Sequence, residues 1–183
     1  MKGLMIIGHN IEDGEAILTR DLLLRAGLEI DLVSIYHDDR NIKTAYGLNI
    51  NADYAYNQVM LSDYDFLVIP GGSWVFDQLE NQEEIVSKLA LDYYKQGKLV
   101  AAICAAPMFL GKVGLLDNKN FTCFPSCEKG IKGTYLKNEK VVVTDNIITG
   151  KGLGAAFEFS YQIIKYLLNE EKAKEVFKAT HYI

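Results

Sequence analysis

KLVAAICAAPMFLGKVG, residues 98–114, starts as one kind of element and ends as another. Leu99–Ile103 is an unbroken apolar run, the pattern of a strand buried on both faces. The stretch therefore predicts a strand over 98–104 and a short helix over 105–112, with Cys104 at the changeover. A cysteine inside an apolar run is ordinarily core filler. Cys104, however, has Ala102 and Ala106 two residues to either side. A sharp strand-to-helix turn that holds up a nucleophile requires small residues at those two places. Glycine is the usual choice and alanine fits. The N–H groups of a helix start also draw a thiol pKa down. Spacing and position together favour a nucleophile elbow.

Outward from this stretch, apolar runs alternate with amphipathic ones. GLMIIG (3–8), EIDLVSIY (29–36) and YDFLVIPGG (64–72) read as strands, the last ending in a Pro-Gly-Gly turn. EDGEAILTRDLLLRAG (12–27) reads as a helix, with Ile17, Leu18, Leu22 and Leu24 on its apolar face and Gly27 as its stop. Residues 46–51 suggest a short hairpin arm. Residues 82–96 form a polar-faced helix closed by Gly97, and FTCF (121–124) is a further strand candidate. KVVVTDNIITG (140–150) reads as strand, turn at Asp145 and Asn146, strand. LGAAFEFSYQIIKYLLN (153–169) is a strong helix whose Tyr/Phe face packs in the core and at an interface. A short helix over 170–179 ends the chain. Buried strands alternating with helices imply a parallel sheet covered on both faces. The expectation is one α/β domain over 1–183, a flavodoxin-like three-layer sandwich, mostly parallel with a late antiparallel hairpin. Ligands bind such folds at the carboxyl ends of the strands.

Composition narrows the function. The chain has 183 residues, 49% of them hydrophobic, enough for one well-packed core. A net charge of −5 and a pI of about 5.2 argue against a nucleic-acid partner. The apolar stretch 99–110 is shorter than the ~20 residues a bilayer requires and contains Pro107, so no membrane span is expected. The N-terminus lacks the apolar core and cleavage site of a signal peptide. With an odd, low count of cysteines (Cys104, Cys123 and Cys127), this predicts reduced thiols in a cytoplasm.

Three features fall at predicted strand ends and so on one rim. Glu12 and Glu15 follow the first strand, Gly71 and Gly72 the third, and Cys104 the next. Glu15 has two readings. Spacing alone favours a solvated carboxylate in the first turn of a helix. A position across from the thiol would make it a general acid/base, or, protonated, a hydrogen-bond donor to a thiolate. Glu12 reads more readily as solvated. Gly71 and Gly72 form either a plain tight turn or a backbone donor to a developing oxyanion, with Ala105 N–H as the second donor. His9 is at the rim, whereas His37 and His181 lie in a polar loop and the tail; all three read best as surface residues. CFPSC (123–127) is C-x3-C without further ligands, the wrong pattern for zinc. Cys123 or Cys127 could resolve an oxidised Cys104. GKGLGAAFEF (150–159) departs from the dinucleotide fingerprint and precedes the wrong helix. No cofactor and no metal is expected.

In their order along the chain, "EDGE", "LVIPGG", "KLVAAICAAP", "TCFP" and "NIITGKGLGAAFEF" resemble the ThiJ/PfpI superfamily. The resemblance is strongest to the branch of the Parkinsonism-associated deglycase and its bacterial relatives, and it covers residues 2–168. It implies a homodimer with Cys104 as reactive elbow cysteine and Glu15 as its protonated partner. Gly72 and Ala105 become the backbone donors. The implied activity is glyoxalase-type or deglycase chemistry on a small aldehyde or glycated adduct, converting a 2-oxoaldehyde to a 2-hydroxy acid. The implied alternative is oxidative-stress sensing through a Cys104 sulfinate. The chain also departs from the pattern. Phe124 stands where many animal members carry histidine, and Ala105 where the protease branch carries one, so protease activity is not expected. Lys151 replaces an arginine and Leu153 a proline.

Overall fold

The computed structural model describes residues 1–81 and 84–182. β1 (Lys2–Ile7) leads into α1 (Asp13–Arg25), which returns the chain to β2 (Glu29–Ser34). An antiparallel pair follows, β3 (Asn41–Lys43) with β4 (Asn49–Asn51), and then the short β5 (Tyr54–Ala55). β6 (Phe66–Ile69) is followed by α2 (Trp74–Glu80) and α3 (Ile85–Lys95). β7 (Leu99–Ile103) turns into α4 (Pro107–Lys112). β8 (Asn120–Phe121) and β9 (Thr134–Tyr135) pair outside the main sheet. β10 (Val141–Thr144) and β11 (Ile147–Gly150) form a hairpin, and α5 (Ala156–Leu167) and α6 (Glu170–Ala179) complete the chain.

The main sheet runs β10-β11-β7-β6-β1-β2-β5. Every neighbouring pair is parallel except β10 with β11, where Val141 faces Gly150. The central strands β1, β6 and β7 are buried along almost their whole length, as expected of strands covered on both faces. α1 and α5 cover one face, with α6 packed on α5, and α3 covers the other, with α4 packed against it. This is the mixed α/β, flavodoxin-like sandwich with a late hairpin that the sequence implies. After β1 the chain moves to β2 on one side; after β6 it moves to β7 and β11 on the other. The switch point lies between β1 and β6, where such sheets open a ligand crevice.

Several elements differ from expectation. The buried face of α1 is Glu15, Ala16, Thr19, Leu22 and Leu23; Ile17 and Leu24 are exposed. The apolar positions of this helix form two stripes, each in phase with the helical turn, and the sheet takes the one that carries Ala16, Leu22 and Leu23. Of FTCF only Phe121 is strand, at the end of β8, because Thr122 N–H goes to the Thr149 hydroxyl instead of a ladder carbonyl. The elbow helix starts at Pro107, not 105. The 46–51 arm is strand at Asn49–Asn51. In the helix read over 82–96, Gln82 and Glu83 lie outside the described residues. α2 was not foreseen at all: Ser73 makes no side-chain cap, and the helix is anchored instead through Trp74.

Candidate active site

The two loops at the switch point are zipped together. Ile11 and Gly72 form an isolated antiparallel bridge, and Glu12 N–H donates to Gly71 C=O at 3.1 Å. Trp74, buried to 1% exposure, donates its indole N–H to Gly71 C=O at 2.9 Å. Gly72 sits at φ +109°, and a Cβ there would stand 2.3 Å from Asn10 O, so only glycine lets these backbones meet. The Pro-Gly-Gly turn is therefore a built part of the site.

α1 starts on this platform. The Glu12 side chain caps it by accepting Glu15 N–H at 2.7 Å, as the solvated reading of Glu12 allows. Glu15, in contrast, is buried to 1% exposure, so the solvated reading fails for it. Its Oε2 accepts Gly71 N–H at 2.9 Å. Its Oε1 is buried without a well-formed hydrogen bond, with the Leu153 N–H nearby favouring the charged form. Gly71 was expected among the oxyanion donors; its N–H is spent on Glu15. What Gly71 supplies is proximity. A Cβ on it would lie 2.5 Å from Cys104 Cβ, 2.7 Å from Glu15 Oε2 and 3.0 Å from Cys104 Sγ. The acid and the thiol thus meet over one bare glycine.

Cys104 sits at the end of β7 with φ +65°, a left-handed conformation that costs a non-glycine residue about 1–2 kcal/mol. Its N–H donates to Gly150 C=O at 2.9 Å, and its C=O accepts Phe124 N–H at 2.8 Å. Ala102 and Ala106 are fully buried on either side, as the elbow spacing demands. The N–H groups of Ala105 and Gly72 favour the thiolate. Gly72, Ala105, Cys104 and Glu15 therefore come together as the sequence proposed.

The electrostatics are those of a coupled pair. Burial is the main cause that lifts the Glu15 carboxyl from 4.5 to about 7, with Glu12 adding to it and Gly71 N–H opposing it. Burial also pushes the Cys104 thiol up, and an ionised Glu15 pushes it further. The lowered thiol pKa expected of a helix start is overturned for that state, because two N–H groups do not outweigh burial and a neighbouring anion. Protonation of Glu15 removes the anion and supplies a hydrogen-bond donor, so the two groups titrate as one unit.

The other candidates fall elsewhere. His9 Nδ1 accepts Lys43 N–H at 3.1 Å and its ring packs 4.8 Å from Tyr36, a structural role. His37 and His181 are exposed. All three cysteines are free, with Cys123 and Cys127 buried. Among the described residues, no group of three or more His, Cys, Asp or Glu could hold a metal, and no helix is long and apolar enough to cross a membrane. A cavity of about 570 Å³, lined by Phe124, Pro125, Lys151, Gly152 and Leu153 among others, adjoins the pair. A Cβ on Gly152 would lie 3.9 Å from Glu15 Oε1. Sequence reasoning missed Trp74 and the Leu153 N–H. The single tryptophan directly after the Pro-Gly-Gly turn was the available signal for the first, and the second had none.

A doubly wound sheet with a cysteine elbow and a buried carboxyl at its switch point defines a class of cysteine-centred α/β proteins. Within it, the chain belongs to the DJ-1/PfpI family, whose description matches residues 1–166. It is 33% identical over 177 residues to protein dj-1beta of Drosophila melanogaster, covering 96% of this chain and 94% of that one. The crystal structure of Drosophila melanogaster DJ-1beta superposes with a TM-score of 0.89, covering 98% and 96% of the two chains at 32% identity. The glutathione-independent glyoxalase DJR-1.2 of Caenorhabditis elegans is 31% identical, with 93% and 90% covered.

Proposed function

We propose that this chain is a cofactor-free enzyme of the glyoxalase or deglycase type that converts small 2-oxoaldehydes to 2-hydroxy acids. The observation that carries this reading is the wholly buried Glu15 carboxyl beside Cys104, pinned by Gly71 N–H. Cys104 gives its proton to the Glu15 carboxylate and adds as the thiolate to the aldehyde carbon; the N–H groups of Gly72 and Ala105 stabilise the resulting alkoxide, which takes the proton back and frees Glu15 to act as a base. Glu15 removes the proton from that carbon and returns it to the neighbouring one, leaving a thioester. Water then hydrolyses the thioester, releasing the 2-hydroxy acid and the free thiol. A carboxyl lifted to about 7 is suited to taking and giving a proton near neutrality. Phe124 offers no base where other members carry histidine, so Glu15 or water does that work. The names of relatives such as the Caenorhabditis elegans glyoxalase support the reading. The exposed stripe of Ile17 and Leu24 on α1, beside a cavity of about 300 Å³, suits the homodimer that the resemblance implies.

The test is an enzymatic lactate assay on fully reduced protein with methylglyoxal, beside Cys104→Ala and Glu15→Gln. Many equivalents of lactate per site, lost in both variants, establish the enzyme. Aldehyde loss without lactate is stoichiometric trapping, and it moves the reading to a sensor. The donors at Cys104 favour that second role too, since Ala105 and Gly72 N–H can hold the oxygens of a sulfinate.

A further inference from the structure

The chemistry above leaves one part of the cavity without a role. Phe124 and Leu153 are each 52% exposed although both are large and apolar. Both stand at the reacting pair. The Phe124 backbone is tied to Cys104 through its N–H, and its ring carbon Cδ2 is 3.6 Å from where a Cβ on Gly152 would stand. The same point is 3.9 Å from Glu15 Oε1. The Leu153 side chain packs over Gly14, next to Glu15, too closely for a methyl group to be added there. Gly152, with no side chain of its own, leaves open the space beside both.

Two lysines stand on the far rim. Lys151 Nζ donates to Lys137 C=O at 2.6 Å. Lys140 Nζ is paired with Glu158. A lysine ammonium has three N–H donors, so these contacts do not bar an anionic substituent. An apolar one finds two side chains that lose water-exposed surface when it binds.

We propose that Phe124 and Leu153 determine specificity, and that the site selects 2-oxoaldehydes bearing an aromatic or bulky apolar substituent over those bearing methyl. This rests on the Cys104–Glu15 reading above. With the aldehyde carbon on Sγ and the second carbonyl toward Glu15, the substituent has to leave past Gly152, between the Phe124 ring and Leu153. The reaction balances without another reactant: phenylglyoxal plus water gives mandelic acid. A ring stacked on one aromatic and one aliphatic side chain gains a preference of roughly tenfold, of which the aromatic contact supplies about fivefold.

The experiment measures kcat/KM for phenylglyoxal (mandelate formed) and methylglyoxal (lactate formed) on the wild type, Phe124→Ala and Leu153→Ala, with Met60→Ala as a remote exposed control. The expected phenylglyoxal-to-methylglyoxal ratio is about ten in the wild type and in Met60→Ala, falling about fivefold in Phe124→Ala and about twofold in Leu153→Ala. A wild-type ratio near one, or a ratio unmoved by both substitutions, overturns the proposal. If neither aldehyde is turned over, the enzyme reading fails and alkylation of Cys104 decides. The rate with iodoacetanilide over that with iodoacetamide, each divided by its rate on free glutathione, should exceed one severalfold and drop in Phe124→Ala. A normalised ratio of one in all proteins overturns the proposal on its own.

Discussion

Glu15→Gln should stabilise the protein, and increasingly so as the pH rises from 4.5 to 7. The carboxyl is 1% exposed, and its pKa rises from 4.5 to about 7 on folding. The folded state then binds the proton more tightly than the unfolded chain. Between the two values the native state holds more protons, so stability falls as pH rises through that window. Below 4.5 both states are protonated and the carboxyl costs nothing. Above 7 both are ionised and the full cost remains. At 1.36 kcal/mol for each tenfold change in proton affinity, that cost is on the order of 3 kcal/mol. Glutamine keeps an oxygen for Gly71 N–H and never ionises, so the cost disappears in the variant. The measurement is urea unfolding of Cys104→Ala and Cys104→Ala/Glu15→Gln at fixed protein concentration, from pH 4 to 8. Removing the thiol keeps its titration out of the comparison. The stability difference should swing toward the glutamine variant by about 3 kcal/mol between pH 4 and pH 8, with most of the change below pH 7. A difference that stays flat would refute the claim that burial, rather than Gly71 N–H, governs this carboxyl.

The other predictions concern the platform around the pair. Gly71→Ala places a methyl group 2.5 Å from Cys104 Cβ and 2.7 Å from Glu15 Oε2, in a backbone conformation alanine can adopt. It should cut kcat/KM about a hundredfold by displacing acid and nucleophile and lower stability by about 1–3 kcal/mol, read from steady-state kinetics and thermal unfolding. Trp74→Phe removes the indole donor to Gly71 and Pro70 carbonyls. It should cost about 1–2 kcal/mol in denaturant unfolding; no change would mean the indole does not hold the turn. At φ +65°, Cys104→Gly should be at least as stable as Cys104→Ala by calorimetry, reversing the usual order of these two residues. Asn169→Ala removes the side chain that accepts Lys172 N–H at 2.8 Å, and should lower the thermal midpoint by the equivalent of about 1 kcal/mol.

Local pattern alone carried the central strands, the elbow and the late hairpin. An apolar run of five residues with alanines two positions either side of a cysteine admits few other readings. The Asp145–Asn146 turn between two β-branched runs is equally restrictive, with Asp145 taking the left-handed conformation the turn needs. The resemblance to the family added Glu15, which spacing by itself would have left in solvent. Where the reading failed, the deciding interactions were distant in sequence. Ile17 and Leu24 are as apolar as Leu22 and Leu23, and only the position of the sheet decides which stripe is buried. Thr122 leaves the strand for a hydroxyl 27 residues away.

The site follows the same division. Neighbouring residues specify Cys104 as the nucleophile and place the candidate groups at strand ends, because elbow chemistry and strand-to-helix turns are written locally. Their protonation states are set by packing between distant segments. Glu15 is lifted to about 7 because α1 buries it against the Gly71 turn, 56 residues on. Gly71 N–H is withdrawn from substrate for the same reason. Desolvation and hydrogen-bond partnership depend on what is packed around a group, and no stretch of neighbouring residues encodes them.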